Sequence, residues 1–316
     1  MLVANDDFFA PKVNLLKPAA PIFIPGKYTD RGKWMDGWES RRRRTPGHDW
    51  CIVELGMRGR IRGLNVDTSF FTGNFPSDCS IDALDLPGTK GASAFRPKTV
   101  DALAWTTILA KTSLGGDRHN YLAIGDERPW THLRLNIYPD GGVARLRVHG
   151  DVTVDWERVA PGNRPVDLAA IQHGGLVLDA SDVHYGAKEN MLMPGRAISM
   201  ADGWETRRRR GPGHDWAIVR LGAPGRLMKL ELDTNHFKGN YPDRASVEGC
   251  FAPGATLERV MAAEWLEVLP PRKLEAHHRH RFASELRHRG PVSHLRLNIF
   301  PDGGVSRFRV HGTPAR

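Results

Sequence analysis

The chain repeats itself. Asp36-Gly-Trp-Glu-Ser-Arg-Arg-Arg-Arg-Thr-Pro-Gly-His-Asp-Trp50 returns as Asp202-Gly-Trp-Glu-Thr-Arg-Arg-Arg-Arg-Gly-Pro-Gly-His-Asp-Trp216, 166 positions later. Asp67-Thr68, Phe71, Gly73-Asn74 and Pro76 return at the same offset as Asp233-Thr234, Phe237, Gly239-Asn240 and Pro242. His132-Leu-Arg-Leu-Asn-Ile-Tyr-Pro-Asp-Gly-Gly-Val143 returns as His294-Leu-Arg-Leu-Asn-Ile-Phe-Pro-Asp-Gly-Gly-Val305. A period this long is a whole domain rather than a solenoid unit. Two domains are therefore expected, 1–157 and 166–316, joined by a linker over 158–165 that is rich in Pro and Gly. Asn14 to Pro18 matches Asn190 to Pro194, which leaves the first repeat with an extra segment between Pro18 and Asp36. The stretch Asp167 to Val177 has no partner before Met1. Either the first repeat lacks an N-terminal element, or the start of the chain lies further upstream.

Inside each repeat the pattern is β. Leu133, Leu135 and Ile137 alternate with His132, Arg134 and Asn136, the period of a half-buried strand. Pro139-Asp-Gly-Gly142 reads as a turn, after which Ala144, Leu146 and Val148 alternate with Arg145, Arg147 and His149. This predicts a hairpin with one apolar and one basic face, and the second repeat predicts the same. Ile61 to Asp67 and Leu227 to Asp233 alternate likewise. Helices are expected only over 99–109 and 257–268. The 33 Gly and 22 Pro favour many short strands. Two tandem antiparallel sandwiches of jelly-roll type follow, an all-β fold.

No stretch approaches 18 uncharged apolar residues, so no transmembrane helix is expected, and the N-terminus lacks a signal pattern. Three widely spaced cysteines exclude a disulfide framework and fit a reducing cytoplasm. The net charge of +9 points to an anionic partner. Arg dominates the basic residues, and its planar fork grips a carboxylate with two parallel hydrogen bonds. The Arg41–Arg44 and Arg207–Arg210 runs are framed by Trp inside a folded repeat rather than lying in a tail. No nucleic acid and no membrane are therefore expected as partners. In a strand or tight loop four consecutive Arg project to two faces, so at most two line one site. Their alternative role is solvated charge paired with Glu39 and Asp36.

Pro-Gly-His-Asp-Trp sets the imidazoles of His48 and His214 beside carboxylates on a turn. Neighbouring residues of a strand point apart, so His48 and Asp49 need not touch. The loop after Asp67 differs between repeats: the second has His236 and Lys238 where the first has Phe70 and Thr72, and only the first has Lys33 in its extra segment. Such divergence suggests unequal sites. The run His277-His278-Arg279-His280 lacks ligand spacing and is not expected to hold a metal.

The doubled Trp-Glu-x-Arg-Arg-Arg-Arg…Pro-Gly-His-Asp-Trp and His-Leu-Arg-Leu-Asn-Ile-Tyr/Phe-Pro-Asp-Gly-Gly blocks resemble the allantoicase family over nearly the whole chain. The resemblance implies two galactose-binding-like jelly rolls, a homo-oligomer in the cytoplasm, and hydrolysis of allantoate to ureidoglycolate and urea. It does not supply catalytic residues. From the chemistry, an Arg must hold the carboxylate and an acid must protonate the departing nitrogen, with a base for water or the remaining ureido N–H. The candidate catalytic residues are His48, Glu39 and His214, Glu205, with Asp49 and Asp215 orienting. Candidates for substrate binding are Arg41, Arg42, Arg134, Lys33, Asn74 and Asn136, with Arg207, Arg208, Arg296, Asn240, Asn298, His236 and Lys238 in the second repeat. No cofactor is demanded, and a divalent metal activating the water is left open. The alternative is a tandem carbohydrate-binding sandwich.

Overall fold

The computed structural model describes residues 3–88, 95 and 100–315. Contacts divide the chain into two compact units, Met1–Thr153 and Val154–Arg316. The first unit holds strands β1 (Val3–Ala4), β2 (Tyr28–Thr29), β3 (Gly32–Lys33), β4 (Trp38–Glu39), β5 (Asp49–Asp67), β6 (Asp78–Leu84), β7 (Thr106–Ser113), β8 (His119–Ala123), β9 (Pro129–Tyr138), β10 (Gly142–Val143) and β11 (Arg145–Val152). The second opens on helix α1 (Trp156–Val159) and strands β12 (Val166–Asp167) and β13 (Leu176–Ala180). It continues with β14 (Trp204–Glu205), β15 (Asp215–Asp233), β16 (Arg244–Cys250), helix α2 (Leu257–Met261), β17 (Leu266–Lys273), β18 (Arg279–Phe282), β19 (Val292–Phe300), β20 (Gly304–Val305) and β21 (Arg307–Pro314). The stretch 158–165, expected as a linker, carries the end of α1 and a 3₁₀ turn over Pro161–Asn163. Trp156 packs on the second unit's core.

One long strand organises each unit. The N-terminal half of β5 pairs with β9, while its C-terminal half pairs with β11 on one edge and β8 on the other. The register slips between Glu54 and Gly59, where the strand leaves one sheet for the other. The first sheet runs β1-β5-β9-β6-β7. Between the sheets lies a core of Trp38, Val53, Leu64, Val66, Ile81, Leu133, Leu135, Ile137 and Leu146, among others. β15 does the same in the second unit, pairing β19 and β21 across a slip between Arg220 and Gly225. The architecture is two tandem β-sandwiches. β12 pairs β21 and has no counterpart among the described residues of the first unit.

The expected hairpin is corrected. β9 and β11 do not pair with each other; both pair with β5, one in each sheet. The Pro139–Gly142 turn is a crossover, held when β10 pairs back to β4. Gly142 is required there because an added Cβ would stand 1.9 Å from the Phe71 ring, and Gly304 meets Phe237 at 2.0 Å. Gly141 and Gly303 sit at φ +138° and +134°, which favours glycine. The basic face of β11 is also corrected at Arg145, which is buried and donates to the Asp36 carboxylate at 2.6 Å.

Both helix expectations shrink. Thr99 lies outside the described residues, Val100–Ala102 form one 3₁₀ turn, and Thr106 starts β7. The β-branched run there pairs with β6. Helix α2 stops at Met261, capped at its start by Thr256, and β17 begins at Leu266.

Candidate functional site

The alternation of β9 decides what faces out. Leu133, Leu135 and Ile137 enter the core, so Arg134 and Asn136 stand on the outer face of the sheet. That face is partly covered by a small apolar cluster of Trp50, Ile52, Leu84, Phe95 and Val100, bordered by Trp105. Beside it lies a cavity of about 510 Å³ lined by His48, Ser80, Asp82, Trp105, Thr107, Ala110, Lys111, Arg134, Asn136 and Tyr138. The second unit repeats the arrangement. Its cavity of about 440 Å³ is lined by His214, Trp216, Ser246, Glu248, Glu267, Leu269, Pro271, Arg296, Asn298 and Phe300.

The floor is a fixed polar network. Arg134 donates from Nε and Nη2 to Asp82 at 3.1 and 2.9 Å, and from Nη1 to Asp101 at 2.6 Å. Asp82 also accepts from Thr107 Oγ1 at 2.7 Å and Asn136 Nδ2 at 2.8 Å. Burial pushes the Asp82 carboxyl up, but the bonds from Thr107, Asn136 and Arg134 outweigh it and hold it below the usual range. Asp82 is thus a permanent anion that clamps Arg134, whose guanidinium stacks 5.0 Å over Trp105. In the second unit Glu248 clamps Arg296 at 2.7 Å and accepts from Asn298 at 2.9 Å, with Arg296 over Trp265.

The imidazoles stand on the cavity wall. His48 lies 4.7 Å from the Tyr138 ring and His214 lies 4.6 Å from Phe300, measured between centroids. His214 Nε2 is 3.3 Å from Asn298 Oδ1. Asn136 Oδ1, the matching atom, is buried with no partner among the described residues. The Tyr138 hydroxyl lies 2.9 Å from Ser80 Oγ, and the Lys111 ammonium sits 4.7 Å over the Tyr138 ring.

The structure therefore brings together His48, Arg134 and Asn136, and likewise His214, Arg296 and Asn298. Glu39 belongs elsewhere. It accepts from Asn74 Nδ2 at 2.7 Å, and Glu205 accepts from Asn240, in both cases at the sandwich end where β4 meets β10 and β14 meets β20. Burial raises the Glu39 carboxyl, partly offset by Asn74 and Lys33. Lys33 is exposed, its ammonium 4.6 Å over Phe23. His236 bonds the Ala197 carbonyl at 3.0 Å, and Lys238 is exposed. None of these residues lines either cavity.

The two faces of the Arg runs separate. Arg41, paired with Asp6 at 2.7 Å, and Arg207, 3.7 Å from Asp182, are exposed, as are Arg42 and Arg208. Asp36 pairs with Lys17 and Arg145 instead of the run. Asp49 is buried, salt-bridged to Arg43 at 2.9 Å and bonded by Asn5 Nδ2 at 2.9 Å; Asp215 pairs with Arg209 and accepts from Ser181. The buried carboxylates thus anchor the Arg loop, and the geometry gives them no contact with the imidazoles. Among the described residues no group of three or more His, Cys, Asp or Glu is placed to hold a metal ion.

Asp82, Thr107, Lys111 and Tyr138 were not singled out in the sequence. A signal existed for the first: Ser80-Ile-Asp82 returns as Ser246-Val-Glu248 at the same offset of 166. Lys111 has no such echo, because Pro271 stands in its place.

The allantoicase repeat family model matches residues 1–153 and again 166–315. A probable allantoicase from Burkholderia mallei is 51% identical over 314 residues, covering 99% of this chain and 90% of the relative. One from Pseudomonas paraeruginosa is 50% identical over 316 residues, covering 99% and 92%. The crystal structure of allantoicase from Saccharomyces cerevisiae superposes with a TM-score of 0.78 at 36% identity, covering 98% of this chain and 88% of that one.

Proposed function

The chain belongs to the allantoicase family, and from that premise we propose that it hydrolyses allantoate to ureidoglycolate and urea on the cavity of the sheet face. One observation carries the placement. His from one repeated motif and Arg and Asn from a second, far apart in the chain, converge on one cavity in each unit.

Allantoate is a single carbon bearing a carboxylate, a hydrogen and two ureido groups. Urea is a poor leaving anion, so the departing nitrogen must gain a proton as its C–N bond breaks. The His48 imidazolium gives that proton. The remaining ureido nitrogen feeds its lone pair into the carbon, which becomes an N-acyliminium. Water then adds to this carbon and returns a proton to the imidazole, leaving ureidoglycolate. One water is consumed and no other reagent is needed. Imidazole suits both roles near neutral pH, and such a group is worth ~10²–10⁴-fold. In the second unit Asn298 Oδ1 lies within bonding distance of His214 Nε2 and positions that ring. Asp82 keeps Arg134 rigid beneath the substrate. The three free, buried thiols suit a cytoplasmic setting for the reaction.

The test is purified protein with allantoate at neutral pH, with and without EDTA, following urea and ureidoglycolate. Urea at enzymatic rates supports the reaction, and the EDTA arm reads metal dependence. No turnover in either arm, nor after divalent metal is added back, overturns it.

A further inference from the structure

The two cavities share a floor and differ in their walls. In both, the arginine is already committed: Arg134 to Asp82 and Asp101, Arg296 to Glu248. A substrate carboxylate therefore needs another cation. The registers of β6 with β7 and of β16 with β17 place Lys111 and Pro271 at equivalent positions, two residues before Ser113 and Lys273. The same alignment sets Glu267 where the first unit has Thr107. Cations outnumber carboxylates in the first lining, and carboxylates outnumber cations in the second.

We propose that Lys111 is the carboxylate-binding residue of this chain, so that the first unit's cavity holds the anionic substrate and the second unit's cavity does not. The proposal rests on the reading of the cavity as the allantoate site. The Lys111 ammonium is suited to the task. It is 56% exposed and stands 3.7 Å from Asp78, too far for a tight ion pair. Asp78 already accepts from Ser77 Oγ at 2.7 Å and from Ser113 Oγ at 3.0 Å. Lys111 can thus turn toward a ligand without stranding its neighbour. The Tyr138 ring holds the ammonium over the cavity, and the second unit's cavity is lined by Phe300 and Pro271 instead. The duplication has kept two polar floors and left the anion to one of them.

Two measurements test this. In steady-state kinetics Lys111→Met should raise KM for allantoate roughly 10- to 100-fold, the range of a lost charge-assisted bond, with kcat changed far less. Lys111→Arg should restore KM to within a few-fold. In equilibrium dialysis of allantoate against the slowed His48→Asn protein, one molecule should bind per chain, and adding Lys111→Met should abolish that binding. An unchanged KM in Lys111→Met, or two bound molecules per chain that survive the change, overturns the proposal. If the wild type releases urea and these results still fail, only Lys111 is refuted. If the wild type releases none, the reaction itself falls first.

Discussion

His294 opens the strand that carries Arg296 and Asn298, and it makes the second unit acid-sensitive. The side chain is 1% exposed, with Nδ1 2.9 Å from Ser293 Oγ and Nε2 without a partner among the described residues. Burial, aided by the charge of Arg220, pushes the imidazole from 6.5 down to about 4. Above pH 6.5 the ring is neutral whether folded or unfolded, and it adds no pH dependence. As pH falls through 6.5 the unfolded chain takes up a proton that the native state refuses until about 4. Stability is therefore lost across that window and levels off below it. The gap of about 2.5 units is worth about 3–4 kcal/mol in full at roughly 1.4 kcal/mol per unit. The variant His294→Asn keeps a polar atom near Ser293 and cannot titrate. Urea denaturation followed by tryptophan fluorescence, at pH 7, 6, 5 and 4, compares the two proteins. All other groups are common to both and cancel in the difference. Between pH 7 and 4 the wild type should lose about 3 kcal/mol more than the variant. Parallel curves would refute the claim that the buried ring stays neutral.

Three further outcomes follow from the same geometry. Asp82→Asn removes the charge that clamps Arg134, so kcat/KM for urea release should drop at least about 10-fold, with stability down by about 1.5–3 kcal/mol in denaturation. Arg145→Met leaves the buried Asp36 with Lys17 as its one remaining cation and the Ile22 N–H, and the first unit should lose about 3–5 kcal/mol by the same assay. Gly142→Ala drives a methyl into the Phe71 ring and should cost about 1–3 kcal/mol; an unchanged denaturation midpoint would show that the crossover can shift to admit it.

Much of the fold was legible because duplication prints every constraint twice. The alternation of Leu133, Leu135 and Ile137 announced a strand with Arg134 and Asn136 on its other face, and that face carries the cavity. What alternation cannot reveal is the partner of a strand. β9 and β11 read as a hairpin because a good turn joins them, yet the 19-residue strand β5 spans both sheets and takes each in turn. Burial of charge was equally hidden. Arg145 lies on the side of β11 that reads as polar, and it is buried because Asp36, more than a hundred residues earlier, meets it there. Glu39 is close to His48 in sequence, yet β4 sends it to the loop end beside Asn74. Lys111 has no echo in the second repeat, where Pro271 stands, so the duplication does not mark it.

The claim that the sheet-face cavity performs the chemistry is met most directly by His48→Ala, assayed for urea release from allantoate at neutral pH. His48 is partly exposed, and its loss leaves the Asp82–Arg134–Asn136 floor in place. A fall in kcat of ~10²–10⁴-fold, with the denaturation midpoint unchanged, is the expected result. Near wild-type turnover would contradict it and send the search for the reaction's acid to the loop-end pair of Glu39 and Asn74.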